Sequence, residues 1–164
     1  KRQNRWIFAL EGIDSFLIKK AARPSISIAP QTVKYMNSYR NLAGNLTFGD
    51  LSVDLHDPIA PSGAQQVMEW VRTHYESVSG RAGYADFYKR DCQLKMLDPV
   101  GTVVELWDLK GCFLTSAGFG DLDYGTEDLV TIDVSLKYDW AVLNNQGPGQ
   151  PFDIAPGAGS PFSV

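Results

Sequence analysis

The chain has 164 residues, enough for one domain with its own core, and its 44% hydrophobic content places it among globular rather than disordered sequences. Fifteen Lys and Arg against 19 Asp and Glu give a formal net charge of −4, which argues against a domain that holds nucleic acid by neutralising phosphates. No run of 18 apolar residues and no charged, apolar, small-residue leader is present, so neither a membrane span nor a signal peptide is expected, and a soluble protein made in a cytoplasm is.

In chain order, residues 5–10 and 15–21 flank Glu11-Gly12-Ile13-Asp14 and predict a hairpin. Residues 25–28 stay extended after Arg23-Pro24, because proline disfavours helix in the residue before it. From Phe48 the chain alternates: Leu51, Val53 and Leu55 fall on one face, and Asp50, Ser52 and Asp54 on the other. Pro61 and Ser62 then open a helix. Gln65 stands three residues after Ser62 as in a capping box, and Ala64, Val67, Met68, Val71 and Tyr75 recur at helical spacing. Residues 77–83 are rich in Ser and Gly, after which Cys92, Leu94 and Met96 alternate with polar partners. Asp98-Pro99-Val100-Gly101 reads as a turn, two strands are expected at 102–109 and 112–116, and residues 118–125 form a turn-rich link. The clearest pattern comes last. Over residues 128–143, Val130, Ile132, Val134, Leu136, Tyr138 and Trp140 share one face, while Thr131, Asp133, Ser135, Lys137 and Asp139 share the other, predicting one long half-buried strand. Long half-polar strands in a small domain leave edges that must be covered, and a closed ring of copies is one way to cover them.

The inventory offers little chemistry. Cys92 and Cys112 lack metal-site spacing, and a tight turn at 98–101 would place Cys112 beyond the strand pairing that holds Cys92, so two buried free thiols are expected. His56 and His74 have no Ser or Cys partner that spacing nominates. Asp121, Asp123, Glu127 and Asp128 lack the calcium-loop pattern and predict a solvated turn. No catalytic residue, metal site or cofactor is expected, and an enzyme is the least favoured class. Residues 145–164 are Gly- and Pro-rich and cannot form a core strand. They set a boundary between a β domain at 1–144 and a C-terminal arm. Composition alone favours a disordered tail there; the expectation adopted is an arm docked on a neighbouring chain through Phe152, Ile154 and Phe162.

Residues 34–50, KYMNSYRNLAGNLTFGD, carry an aromatic before Met-Asn, a nearby basic residue, Ala-Gly, and Thr-Phe-x-Asp leading into an alternating strand. Together with Gly12, the Arg23-Pro24 step, the helix bearing Trp70, the Leu106-Lys110-Gly111 strand end and the final long strand, this order resembles the tail-tube proteins of contractile-tailed bacteriophages over residues 5–143. The resemblance implies a mainly β domain of two packed antiparallel sheets, a sandwich or barrel with one flanking helix, whose hexameric rings stack into a hollow tube within a contractile sheath. It implies a loop at 33–45 that reaches the next ring, with Tyr35, Met36, Tyr39 and Arg40 as contact groups. It also implies as partners the chain itself, a sheath protein, a tape-measure protein in the lumen, and baseplate, initiator and terminator proteins.

On that basis Asp50, Ser52, Asp54, Thr131, Asp133, Ser135, Lys137 and Asp139 are candidates for the lumen. An acidic lining would let DNA pass into the host without adhering. The location implied is the virion, after assembly in the host cytoplasm. A tail terminator, a tube initiator or a secretion-system tube protein would share this fold. Outside assembly, the alternative is a soluble ligand-binding β-barrel.

Overall fold

In a computed structural model the protein is described over residues 2–125 and 127–144. The expected arm, with Phe152, Ile154 and Phe162, lies outside the described residues.

The strands are β1 (Trp6–Leu10), β2 (Ile18–Ala21), β3 (Ile26–Tyr35), β4 (Ser38–Phe48), β5 (Leu51–His56), β6 (Arg90–Leu97), β7 (Val103–Gly118), β8 (Thr131–Lys137) and β9 (Trp140–Asn144), with helices α1 (Gly63–His74) and the single-turn α2 (Ala85–Tyr88). Seven strands join in the order β1-β6-β7-β8-β5-β2, and β9 adds to β7. Every pairing is antiparallel. The first half of β7 lies between β6 and β9, while its second half pairs β8. One 16-residue strand thus serves two sheets, giving the expected β-rich sandwich with a flanking helix. The core between them takes Phe8 and Leu10 from β1, Leu51, Val53 and Leu55 from β5, Leu94 from β6, Leu109 from β7, and Ile132, Val134 and Leu136 from β8.

The flanking helix starts as its sequence dictates. The Ser62 hydroxyl accepts from the Gln65 N–H at 3.4 Å and donates to Asp57, whose carboxylate also accepts from the Ala64 N–H at 3.2 Å. Val67 and Trp70 carry its apolar stripe into the core, and the Trp70 indole N–H donates to the Tyr88 carbonyl at 2.7 Å. Trp70 therefore ties α1 to the end of α2.

Four expectations change. Residues 5–10 and 15–21 do not pair as a hairpin. β1 pairs β6 and β2 pairs β5, and only an isolated bridge from Leu10 to Ile13 joins the two segments. The two strands expected at 102–109 and 112–116 are one, bent at Gly111 (φ +67°). Cys112 is not beyond the pairing: it lies opposite Arg90, one irregularity from Cys92, because bulges let the β6–β7 register shift.

The fourth change concerns the long terminal strand, which is interrupted. β8 and β9 run along β7 in one register, Phe113 opposite Lys137 and Lys110 opposite Trp140, with Tyr138 and Asp139 between them. There both strands shift by one residue in facing. Cys112 and Leu109 are both buried although they differ in parity, and so are Tyr138 and, in part, Ala141. A slip of one residue turns each following side chain over, so Trp140 lands on the outside at 48% exposure rather than in the core row.

Candidate functional site

Two surfaces stand out. The first is the ribbon of β3 and β4, a separate two-stranded sheet. The expected loop at 33–45 is therefore a long hairpin, turning through Met36 and Asn37, with Val33 opposite Arg40 and Tyr35 opposite Ser38. Its 10-residue first strand spans about 33 Å. Tyr35 and Met36 are 69% and 88% exposed, and Val33, Tyr39 and Leu42 are also exposed. Met36 adopts φ +52°, a left-handed conformation that a long side chain rarely holds. Lys34 lies 5.6 Å from the Tyr39 ring centre on the same face. A two-stranded hairpin is marginal alone in water.

The body fixes where this ribbon starts. Buried Glu105, 2% exposed, accepts from Arg23, just before β3, and from the Trp107 indole N–H at 2.6 Å. The Ser25 carbonyl accepts from the Gly49 N–H at 3.0 Å and from the Tyr138 hydroxyl at 3.4 Å. The Tyr138 ring rests against Phe48 with centres 5.5 Å apart. Burial raises the Tyr138 phenol above its ordinary value, so it stays a neutral donor. The kink between β8 and β9 and the foot of the ribbon thus share one side chain.

The second surface is the outer face of the sheet β7-β8-β5-β2. Ser52 lies opposite Ser135 and Asp54 opposite Asp133, so the two polar rows form one continuous face. Like charges directly opposed are unfavourable, and Lys20, on the neighbouring strand, approaches Asp54 at 3.7 Å. Lys137 lies 3.5 Å from Asp50 at the other end. Three acids (Asp50, Asp54, Asp133) and two bases (Lys20, Lys137) leave this face at −1, net acidic with two of its aspartates paired to lysines. Thr131 stands opposite His56. Asp139 falls in the link between β8 and β9, where it receives Lys89 at 2.7 Å.

The remaining candidates are structural. His56 is half-buried at the end of β5 with Nδ1 unpartnered among the described residues, and His74 stacks on Tyr88 at 4.5 Å. Cys92 and Cys112 are both free and buried, and a hydrogen bond to Cys112, with burial, pushes the Cys92 thiol far up, which keeps it an unreactive thiol. The opposite sheet also has a polar exterior: Lys110 pairs Asp91 at 2.5 Å, and Gln93 and Asn144 both donate to Asp108. Alternation alone could not decide between these two wet faces. Two features escaped the sequence. Lys20 was missed because its bond to Asp54 depends on β2 pairing β5. The Arg23–Glu105 clamp joins residues 82 apart in the chain, which leaves no local signal.

No protein-family model and no curated protein matches the chain. Its fold nevertheless has close counterparts among solved structures. A chain in the extended-state PVC sheath-tube complex of an extracellular contractile injection system superposes with a TM-score of 0.70 at 13% identity, covering 88% of this chain and 90% of that one. A chain of the anti-feeding prophage tube-terminating cap gives 0.72 at 14% identity, with 88% and 90% covered. Hcp1 from E. coli EAEC 042 gives 0.51 at 9% identity, over 87% and 92%. The chain has the fold of the tail-tube and Hcp proteins of contractile injection systems.

Proposed function

We propose that this chain is a structural subunit of the tube of a contractile injection apparatus. Copies close into a hexameric ring, and rings stack into a hollow tube inside a sheath, between a baseplate and a terminator. The observation that carries this is the β3–β4 ribbon: two long strands whose apolar residues are exposed along most of their length in the single chain. Exposed groups of this kind are costly in water and are stabilised when a neighbour covers them. Tyr35, Met36, Tyr39 and Arg40 are the contact groups toward the next ring, and the Ser52/Asp54/Asp133/Ser135 face lines the lumen. The role is mechanical rather than catalytic.

A phage tail tube that holds a tape-measure protein and passes DNA is the finer reading. The second reading is an injection-system tube without DNA, supported by the fold the chain shares with chains of contractile injection systems. Negative-stain microscopy of the purified protein is the test. Long hollow rods support the tube subunit, single rings point to a terminator or secretion component, and featureless monomers at all concentrations overturn assembly in favour of a soluble barrel. Nucleic acid recovered from nuclease-treated native particles would decide for the phage tube.

A further inference from the structure

We propose that the cleft at the β1–β2 seam receives the acidic groups Asp121, Asp123, Glu127 and Asp128 of an adjacent copy of this chain; the assignment rests on the ring reading above and names the surfaces by which one copy meets the next. β1 and β2 end the strand path, each pairing on one side only, which leaves the seam between them open. That seam holds a cleft lined by Arg2, Lys19, Lys20 and Arg23, with Trp6 and Met96 as apolar wall. Four cations gathered in one cleft stand out on a chain of net charge −4. Lys20 and Arg23 have partners in Asp54 and Glu105, whereas Arg2 and Lys19 have no ion pair among the described residues.

The complementary surface lies at the other edge of the same sheet. The second half of β7 pairs β8 alone, so its far side is an open edge among the described residues. The chain leaves that edge through the link to β8, which carries Asp121, Asp123, Glu127 and Asp128 together with exposed Leu122, Tyr124 and Leu129. Charge and apolar character therefore match in kind on both sides: four acids with three apolar side chains against a basic cleft in which Arg2 and Lys19 are uncommitted, with an indole and a thioether. Complementary charge fixes partner and register, and the apolar groups supply burial.

Strand direction supports the same contact. β2, β5, β8 and β7 alternate in direction. A second copy's β2 set beside the free edge of β7 continues the alternation and brings its basic seam toward the acidic link. The two patches occupy opposite edges of one sheet and are unlike each other, so the contact is head-to-tail, the kind that closes a ring or propagates a filament.

The test compares the full chain with Asp121→Lys/Asp123→Lys, with Arg2→Glu/Lys19→Glu, and with all four changes combined. Mass photometry across a concentration series measures ring formation, and circular dichroism confirms the fold. Each reversed pair raises the concentration for half-assembly about tenfold or more, and the combination recovers most of the loss. Raising NaCl from about 50 to about 500 mM weakens the unmodified ring in the same direction. If the lysine loop variant loses its melting transition, Asp121→Asn/Asp123→Asn gives a smaller shift of the same sign. Rings that form equally well in every variant and at every salt overturn the docking while leaving the ring itself standing. An unmodified chain that forms no ring under any condition overturns both.

Discussion

Gly111 is where one strand passes from sheet to sheet, and its replacement can be worked through from the geometry. At φ +67° it occupies backbone that an alanine holds at a cost of about 1–2 kcal/mol. A Cβ there would also sit 2.2 Å from Asp139 Oδ2 and 2.8 Å from its Cγ. Asp139 must then leave its rotamer and its bond to Lys89, and an off-rotamer side chain costs about 0.5–1.5 kcal/mol. Gly111→Ala is expected to destabilise by about 1.5–3.5 kcal/mol in total, with Tm falling about 2–4 °C per kcal/mol in a domain of this size. The conformational and steric parts separate in a cycle with Asp139→Ala, which removes the clashing carboxylate. In that background the cost of Gly111→Ala should drop by about 0.5–1.5 kcal/mol. Gly101 is the reference for positive φ without a clash, since at φ +92° it has nothing within 4 Å of its Cβ position. Urea denaturation with linear extrapolation supplies the free energies. A cost for Gly111→Ala that is the same with and without Asp139 would refute the packing of the two kinks against each other.

Met36→Asp should leave the melting curve of the single chain within about 0.5 kcal/mol, as for an exposed position, while abolishing rods in negative stain. Rods of normal length would remove the ribbon tip from the inter-ring contact. Tyr138→Phe tests pH dependence. Burial lifts the folded phenol above 10.0, its ordinary value, so the folded state holds this proton more tightly than the unfolded chain. Its contribution is complete below about pH 10 and is lost as pH rises toward the folded value. The variant should lose stability less steeply in thermal melts between about pH 9 and 11, and an unchanged slope would contradict burial as the cause. Truncation after Asn144 removes Phe152, Ile154 and Phe162 and should weaken assembly in mass photometry; assembly at the same concentration would dismiss an arm that docks on its neighbour.

Much that is decided within one element could be read from it, although Tyr75, expected in the stripe of α1, is exposed and Trp70 takes the buried place. Ser62 and Gln65 place the start of α1 because capping is decided within one turn of chain. Leu51, Val53 and Leu55, with Ile132, Val134 and Leu136, reveal inner faces because alternation needs only a continuous strand. The failures lie where one strand answers to another. Residues 5–10 and 15–21 have hairpin-like spacing, yet β1 finds β6 far along the chain through Phe8 opposite Leu94 and Leu10 opposite Cys92. Spacing cannot rank a near partner against a distant one that buries more. Trp140 was assigned to the core row because a parity count has no way to see the bend at Gly111.

The same bend explains why the polar rows were visible and their meaning was not. Alternation marks Asp133, Ser135 and Lys137 as wet, but the other sheet also turns a polar row outward, with Asp91 exposed and Gln93 and Asp108 half-buried, so a sequence pattern cannot choose the lumen. Position in an assembly depends on edges and protrusions, which are properties of the fold. Here the protruding ribbon is fastened by Arg23 to Glu105 and by Ser25 and Phe48 to Tyr138, and Tyr138 belongs to the kink between β8 and β9. A change of angle between the two sheets would therefore re-aim the ribbon. In a tube, the register of ring on ring would rest on buried side chains at the kink as much as on the exposed aromatics at the tip.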